Sequence, residues 1–261
     1  MHYNIEIIDN NNLLMRGVFM KLVFLHGAGN SSLSFYYQLR HFRNSKAIDL
    51  PGHPDGVPCN SISGYLEWVR GFIKARRYKD VILCGHSMGG AIAQMYALRY
   101  PDELKGLILI GTGAKLKVDQ NLIAGLRNVE NSETGWVDSQ KGFFSGVEPD
   151  LYQLLVQRAA QIGPDVGLND LLCCDKFDVS SGINRINLPT EIISGSMDQL
   201  TPVKFSAKLI ACVPKPPAPT ITSRSPGDTL VFFRALYAVI PEHAKVADIS
   251  DSTPLVFTRY L

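Results

Sequence analysis

Apolar positions along this chain recur with two spacings, and segments of the two kinds take turns. Short, mostly apolar runs cover Leu22 to Leu25, Lys46 to Leu50, Val81 to Cys84, Leu107 to Ile110 and Thr190 to Ile193. They have the length and composition of buried strands. Apolar residues return at helical spacing from Ile62 to Ala75 and from Ala91 to Tyr100. Tyr3 to Ile8 alternates polar and apolar residues like a half-buried strand. Strands alternating with helices predict an α/β fold: a mostly parallel central sheet with helices on both faces. Such sheets carry ligand-binding loops at the carboxyl ends of their strands, and the three richest loops here follow Leu25, Cys84 and Ile193. Chemistry is expected along that edge.

The alternation lapses between Thr112 and Asn187, where helical patches appear at Asp119 to Val129 and Pro149 to Ile162 without a convincing strand. This reads as an inserted helical cap over residues 115–187, with 1–114 and 188–261 forming the core. Its apolar members include Trp136, Phe143, Phe144, Tyr152, Leu155, Leu171 and Leu172. Packing among the cap's own helices accounts for most of them, and Trp136, Phe143 and Phe144 are the candidates to wall a substrate pocket. After Cys212, four prolines in Pro214-Lys215-Pro216-Pro217-Ala218-Pro219 cannot form helix or inner strand and predict an exposed loop. Leu236 to Ile240 reads as the last strand.

Composition narrows the classes. With 261 residues, 46% hydrophobic and 19% charged, the chain can bury a full core as one domain carrying an insertion. A net charge of +2 and no basic run interleaved with aromatics argue against a nucleic-acid surface. The N-terminus lacks a basic flank followed by an apolar core, and no segment reaches membrane-spanning length, so a cytoplasmic protein with no membrane partner is expected. Five cysteines, with Cys84 inside an apolar strand and Cys173-Cys174 adjacent, suit reduced, non-catalytic thiols.

Against that background, Gly85-His86-Ser87-Met88-Gly89-Gly90 stands out. It joins an apolar strand to a helix, and glycines on both sides of Ser87 allow a corner too tight for side chains, leaving the hydroxyl exposed. A serine held this way suits nucleophilic attack. Gly195-Ser196-Met197-Asp198 follows the strand Thr190 to Ile193, and Thr201-Pro202 reads as a helix start, so Asp198 sits in a loop fixed at both ends. A serine nucleophile needs a base near neutrality, usually a histidine. Of six histidines, His26 and His86 flank glycine loops and are expected to hold them by hydrogen bonds. His243, after the last apolar run, is the candidate base.

These residues together resemble the α/β-hydrolase family: the loop His26-Gly27-Ala28-Gly29, the turn Asp49-Leu50-Pro51-Gly52-His53, the Gly85 to Gly90 elbow, the Gly195 to Asp198 loop and a late histidine, in the family's order. The resemblance implies Ser87 as nucleophile, Asp198 as acid, His243 as base, and the backbone N–H groups of Ala28 and Met88 as the oxyanion hole. It implies no metal and no organic cofactor. Two positions depart from the family pattern: Glu242 stands where glycine usually precedes the histidine, and the proline-rich segment replaces a short turn. Serine at the elbow argues against dehalogenase and epoxide hydrolase chemistry, which use aspartate there. The expected reaction is hydrolysis of a small-molecule carboxylic ester of short to medium acyl chain, by a monomer or homodimer. Carbon-carbon bond hydrolysis of a diketone-like substrate and non-catalytic binding of a small apolar ligand are the alternatives.

Overall fold

The computed structural model describes residues 5–9, 12–15, 18–129, 133–144, 146–195 and 198–212. His243, the expected last strand Leu236 to Ile240 and the proline-rich segment lie outside the described residues. Five strands form a parallel sheet in the order β5-β4-β6-β7-β8. They are β4 (Lys21–Leu25), β5 (Ser45–Ile48), β6 (Val81–His86), β7 (Leu104–Ile110) and β8 (Thr190–Ile193). A separate antiparallel meander, β1 (Ile5–Asp9), β2 (Asn12–Met15) and β3 (Val18–Phe19), precedes them.

The strands are apolar on both faces because both are covered. Val23, Leu25, Val81, Leu83, Leu107 and Leu109 point into one core with α2 (Ile62–Ala75) and α3 (Met88–Arg99). Leu22, Phe24, Ile82, Cys84 and Ile108 point into the other, where Phe35 and Phe42 flank α1 (Tyr36–His41). In α2, Ile62, Tyr65, Leu66, Val69 and Ile73 are buried at helical spacing, and the Ser61 hydroxyl caps the helix by accepting from the Gly64 N–H at 3.1 Å. Helix α3 is buried almost all round, as its small residues Gly89, Gly90, Ala91, Ala93 and Ala97 allow.

Between β7 and β8 the chain forms α4 (Gln120–Val129), α5 (Glu133–Lys141) and α6 (Pro149–Asp175). Helix α6 is broken at Gly163, which has φ 77°, and resumes at Pro164. The helical pattern ending at Ile162 therefore marks a kink, with a second half beyond it. An isolated bridge, Lys115 to Asp178, is the one β contact recorded in the described part of this stretch. After β8, α7 (Val203–Cys212) packs against it. No helix among the described residues is long and apolar enough to cross a membrane.

One residue in the sheet works against its own burial. Glu191 lies in β8 opposite Ile108, and loss of water pushes its carboxyl up from 4.5 to about 7. The folded chain therefore holds this proton more tightly than the unfolded chain. Stability is greatest below the unfolded value and falls as pH rises through 7, by about 3 kcal/mol in full. Glu191→Gln is expected to raise the thermal midpoint at pH 8 by about 5 °C, with the gain shrinking toward pH 5 in scanning calorimetry. An equal gain at both pH values would refute the assignment.

Candidate active site

Four strand ends meet at one edge of the sheet. In register, Leu25 lies beside Gly85, His86 beside Ile110, and Ile110 beside Ile193. The loops that follow these strand ends carry Ala28, Ser87 and Asp198, and Met88 opens the helix directly after Ser87, while Trp136 lies in α5 and Phe143 and Phe144 just after it.

Ser87 forms the corner between β6 and α3, with φ 52° and ψ −115°. That is a rarely occupied conformation for a residue with a side chain, and it persists because its surroundings fix it. The Ser87 N–H donates to the Ile110 carbonyl at 2.9 Å, and the Thr112 hydroxyl donates to the Ser87 carbonyl at 2.9 Å. The glycines are required by contact. A Cβ on Gly85 would collide with the Gly89 carbonyl, and one on Gly89 with the Leu25 carbonyl. Met88 follows directly at the start of α3, where an N–H group has no partner inside the helix.

Gly27 brings the loop after β4 against this corner: a Cβ there would lie 3.2 Å from the Ser87 Cβ. Neither the Ala28 N–H nor the Met88 N–H has an acceptor among the described residues. The expectation that His26 holds its loop agrees with the structure. Fully buried, it places Nδ1 2.9 Å from the Gly27 carbonyl and accepts the Leu50 N–H on Nε2 at 3.1 Å, which selects the neutral Nδ1–H tautomer. Burial first, and the neighbouring His53 second, lower its pKa to about 4. His86, next to Ser87, is also lowered by burial, against the opposing pull of Asp198.

Asp198 is buried, and both of its oxygens are occupied. Oδ1 accepts the N–H groups of Leu200 at 2.9 Å and Thr201 at 2.7 Å, and Oδ2 accepts the Thr201 hydroxyl in a short bond. Thr201 thus gives its hydroxyl to the carboxylate, and α7 begins at Val203, after Pro202. Gly111 links the two loops. Its N–H donates to the Ile193 carbonyl at 2.8 Å, and a Cβ on it would lie 3.4 Å from Asp198 Oδ2 and 3.6 Å from the His86 ring. The Ser87 N–H is bonded to Ile110 and the Asp198 carboxylate lies beside the next residue, Gly111, so the loops carrying both are tied to the same turn. The arrangement brings a serine hydroxyl, a carboxylate and two N–H groups without acceptors among the described residues to one sheet edge.

The three aromatic candidates separate. Trp136 is 1% exposed, donates Nε1–H to the Ala159 carbonyl at 2.7 Å and lies against Gly29 and Gly167. Phe144 is buried in a cluster with Leu151, Leu155 and Ala159, against which Leu33, Tyr36 and Tyr37 pack. Phe143 is 53% exposed. The thiols of Cys84, Cys173 and Cys174 are all raised, chiefly by burial, as suits reduced and unreactive groups.

The model of the alpha/beta hydrolase family matches residues 22–241, a span that includes the whole of this edge. The chain belongs to the alpha/beta hydrolase family. Other similarities agree with that placement. A candidate esterase/lipase 2 of Mycoplasma pneumoniae is 29% identical over 214 residues, 72% of this chain and 75% of that one. The pimeloyl-[acyl-carrier protein] methyl ester esterase of Wigglesworthia glossinidia brevipalpis is 25% identical over 212 residues, 71% and 78% of the two chains. Among solved structures, a thermophilic esterase superposes with a TM-score of 0.61 at 29% identity, over 74% of this chain and 77% of that one.

This alpha/beta hydrolase also holds a buried group that its sequence pattern does not disclose. Asp170, in the second half of α6, is fully buried and accepts from three separate parts of the fold. Its Oδ2 accepts the Gly29 N–H at 2.9 Å and lies 2.8 Å from His53 Nε2, while Oδ1 accepts the Tyr65 hydroxyl at 2.7 Å. No local motif around Asp170 signals this role. The one available hint was His53, in the turn after β5, whose imidazole needs a partner when buried.

Proposed function

We propose that this alpha/beta hydrolase is a serine hydrolase that cleaves carboxylic esters of short to medium acyl chain through an acyl-serine intermediate. The observation that carries the reading is the Ser87 corner: a serine at φ 52° near two N–H groups, of Ala28 and Met88, that have no acceptor among the described residues. In this reading the Ser87 Oγ bonds to the ester carbonyl carbon as its proton passes to His243. The Ala28 and Met88 N–H groups meet the charge on the carbonyl oxygen. Collapse breaks the bond to the alcohol, which leaves with that proton, and water repeats the sequence to release the acid. Asp198 orients His243. The inserted helices serve as the cap over residues 115–187, with Phe143 and Phe144 toward the acyl chain and Trp136 bracing the loop at Gly29. The esterase names of the similar proteins support ester chemistry, and the glycine-lined loop suits a neutral substrate.

The test is turnover of p-nitrophenyl esters from acetate to palmitate, with fluorophosphonate labelling read by peptide mass. The expected result is a maximum toward the short and medium acyl chains and a label on Ser87. Absence of turnover across the series, or a label at another residue, would overturn the reading and favour carbon-carbon hydrolysis or a binding protein.

A further inference from the structure

We propose that Asp170 is a positioning residue for the oxyanion hole, coupling the inserted helices to the loop that presents the Ala28 N–H. The inference rests on the serine hydrolase reading. The loop from His26 to Asn30 has few ties to the core that reach its outer end. His26 anchors its start through Gly27 and Leu50, and the Asn30 N–H reaches back to the Gly27 carbonyl at 3.3 Å. At Gly29, the residue after Ala28, the N–H bonds to Asp170. Gly29 sits at φ 61°, so the peptide joining it to Ala28 is turned into a conformation that a side chain would resist.

Asp170 can hold that turn because it is itself held. The Tyr65 hydroxyl from α2 and His53 from the β5 turn occupy the rest of its carboxylate, all within a buried site. The same carboxylate group raises the Tyr65 hydroxyl and the nearby Cys59 and Cys173 thiols, each first raised by burial. Trp136 closes the loop from the other side, with its ring edge against both Gly29 and Gly167, one turn before Asp170. The inserted helices therefore grip the loop at one residue with one hydrogen bond and one aromatic edge. A shift of the Ala28 N–H by a fraction of its bond length weakens the contact with a developing oxyanion more than any contact with the ground state.

The experiment compares wild type, Ser87→Ala, Asp170→Asn and Tyr65→Phe on the best p-nitrophenyl ester, with affinity for a trifluoromethyl ketone that adds to Ser87. Asp170→Asn keeps the shape and removes the charge that orients three donors. It is expected to lower kcat about 10- to 100-fold with KM within about 3-fold, and to weaken the ketone by the same factor. Tyr65→Phe leaves the Gly29 bond in place and is expected to cost no more than about 3-fold in kcat. Turnover that depends on Ser87 but is unchanged in a folded Asp170→Asn overturns the proposal alone. So does a loss confined to KM, or equal losses in Asp170→Asn and Tyr65→Phe that track their thermal midpoints. Absence of any Ser87-dependent turnover in the wild type overturns the hydrolase reading, and the proposal with it.

Discussion

Replacing Ser87 with alanine is expected to lower kcat for the preferred ester by about a million-fold, and replacing His243 with alanine by a similar factor. The double variant should lose little more than either one, because nucleophile and base act in a single step. The residual rate would come from substrate held beside the Ala28 and Met88 N–H groups, which neither change removes. The Ser87 substitution should not unfold the corner. Alanine at φ 52° carries the same backbone cost as serine, and the bonds that fix the corner, from the Ser87 N–H to Ile110 and from Thr112 to the Ser87 carbonyl, use the main chain alone. A matching thermal midpoint for wild type and variant, measured with the rates, checks this. Retention of more than about a hundredth of the wild-type rate in Ser87→Ala sinks the serine mechanism. The same retention in His243→Ala, with Ser87 still required, moves the base to another residue.

The parts of the fold legible in the sequence are those whose order is local. Ile62–Ala75 and Thr190–Ile193 form the helix and the strand that their sequences predict, the first with a serine cap and one apolar face, the second as a short strand between turn residues. Helix α3 begins at Met88, three residues before its first alanine, because the corner at Ser87 turns directly into the helix without a linker. Helix α5 escapes a pattern-based reading. Its sequence Glu-Thr-Gly-Trp-Val-Asp-Ser-Gln-Lys has no repeating apolar face, and burial of Trp136 against α6 and the loop at Gly29 supplies the order that periodicity does not. The Gly163-Pro164 pair ends the pattern of α6 for a sound local reason, yet proline is well placed in the first turn of a resumed helix.

The candidate site divides along the same line. Ser87, Asp198 and the His26 loop stand in short motifs whose glycines and turn residues announce the geometry. Asp170 does not, since its partners Tyr65, His53 and Gly29 lie 105, 117 and 141 residues away in the chain. A buried acceptor of that kind becomes visible only when the inserted helices fold back on the core.

Asp198→Asn is expected to reduce kcat at neutral pH by roughly 10⁴-fold, and the hydrogen bonds around the carboxylate say why. Two N–H groups, from Leu200 and Thr201, point at Oδ1, so the asparagine must keep its oxygen there. Its NH₂ group then falls at the Oδ2 position, beside the Thr201 hydroxyl and toward Gly111. The hydroxyl can rotate to accept from it. A histidine reaching that position meets a donor where the wild type offers an acceptor. To avoid opposing N–H groups the ring must leave Nδ1 bare and carry its proton on Nε2, which then faces Ser87 and cannot accept the serine proton. The loss should fall on kcat rather than KM, and the thermal midpoint should move by only a few degrees because the turn keeps its two backbone bonds. Thr201→Val provides the contrast. It removes one donor to Oδ2, leaves the carboxylate able to accept from the histidine, and is expected to cost about 10-fold. Activity of Asp198→Asn within about 10-fold of wild type would place the orienting acid elsewhere on the sheet edge.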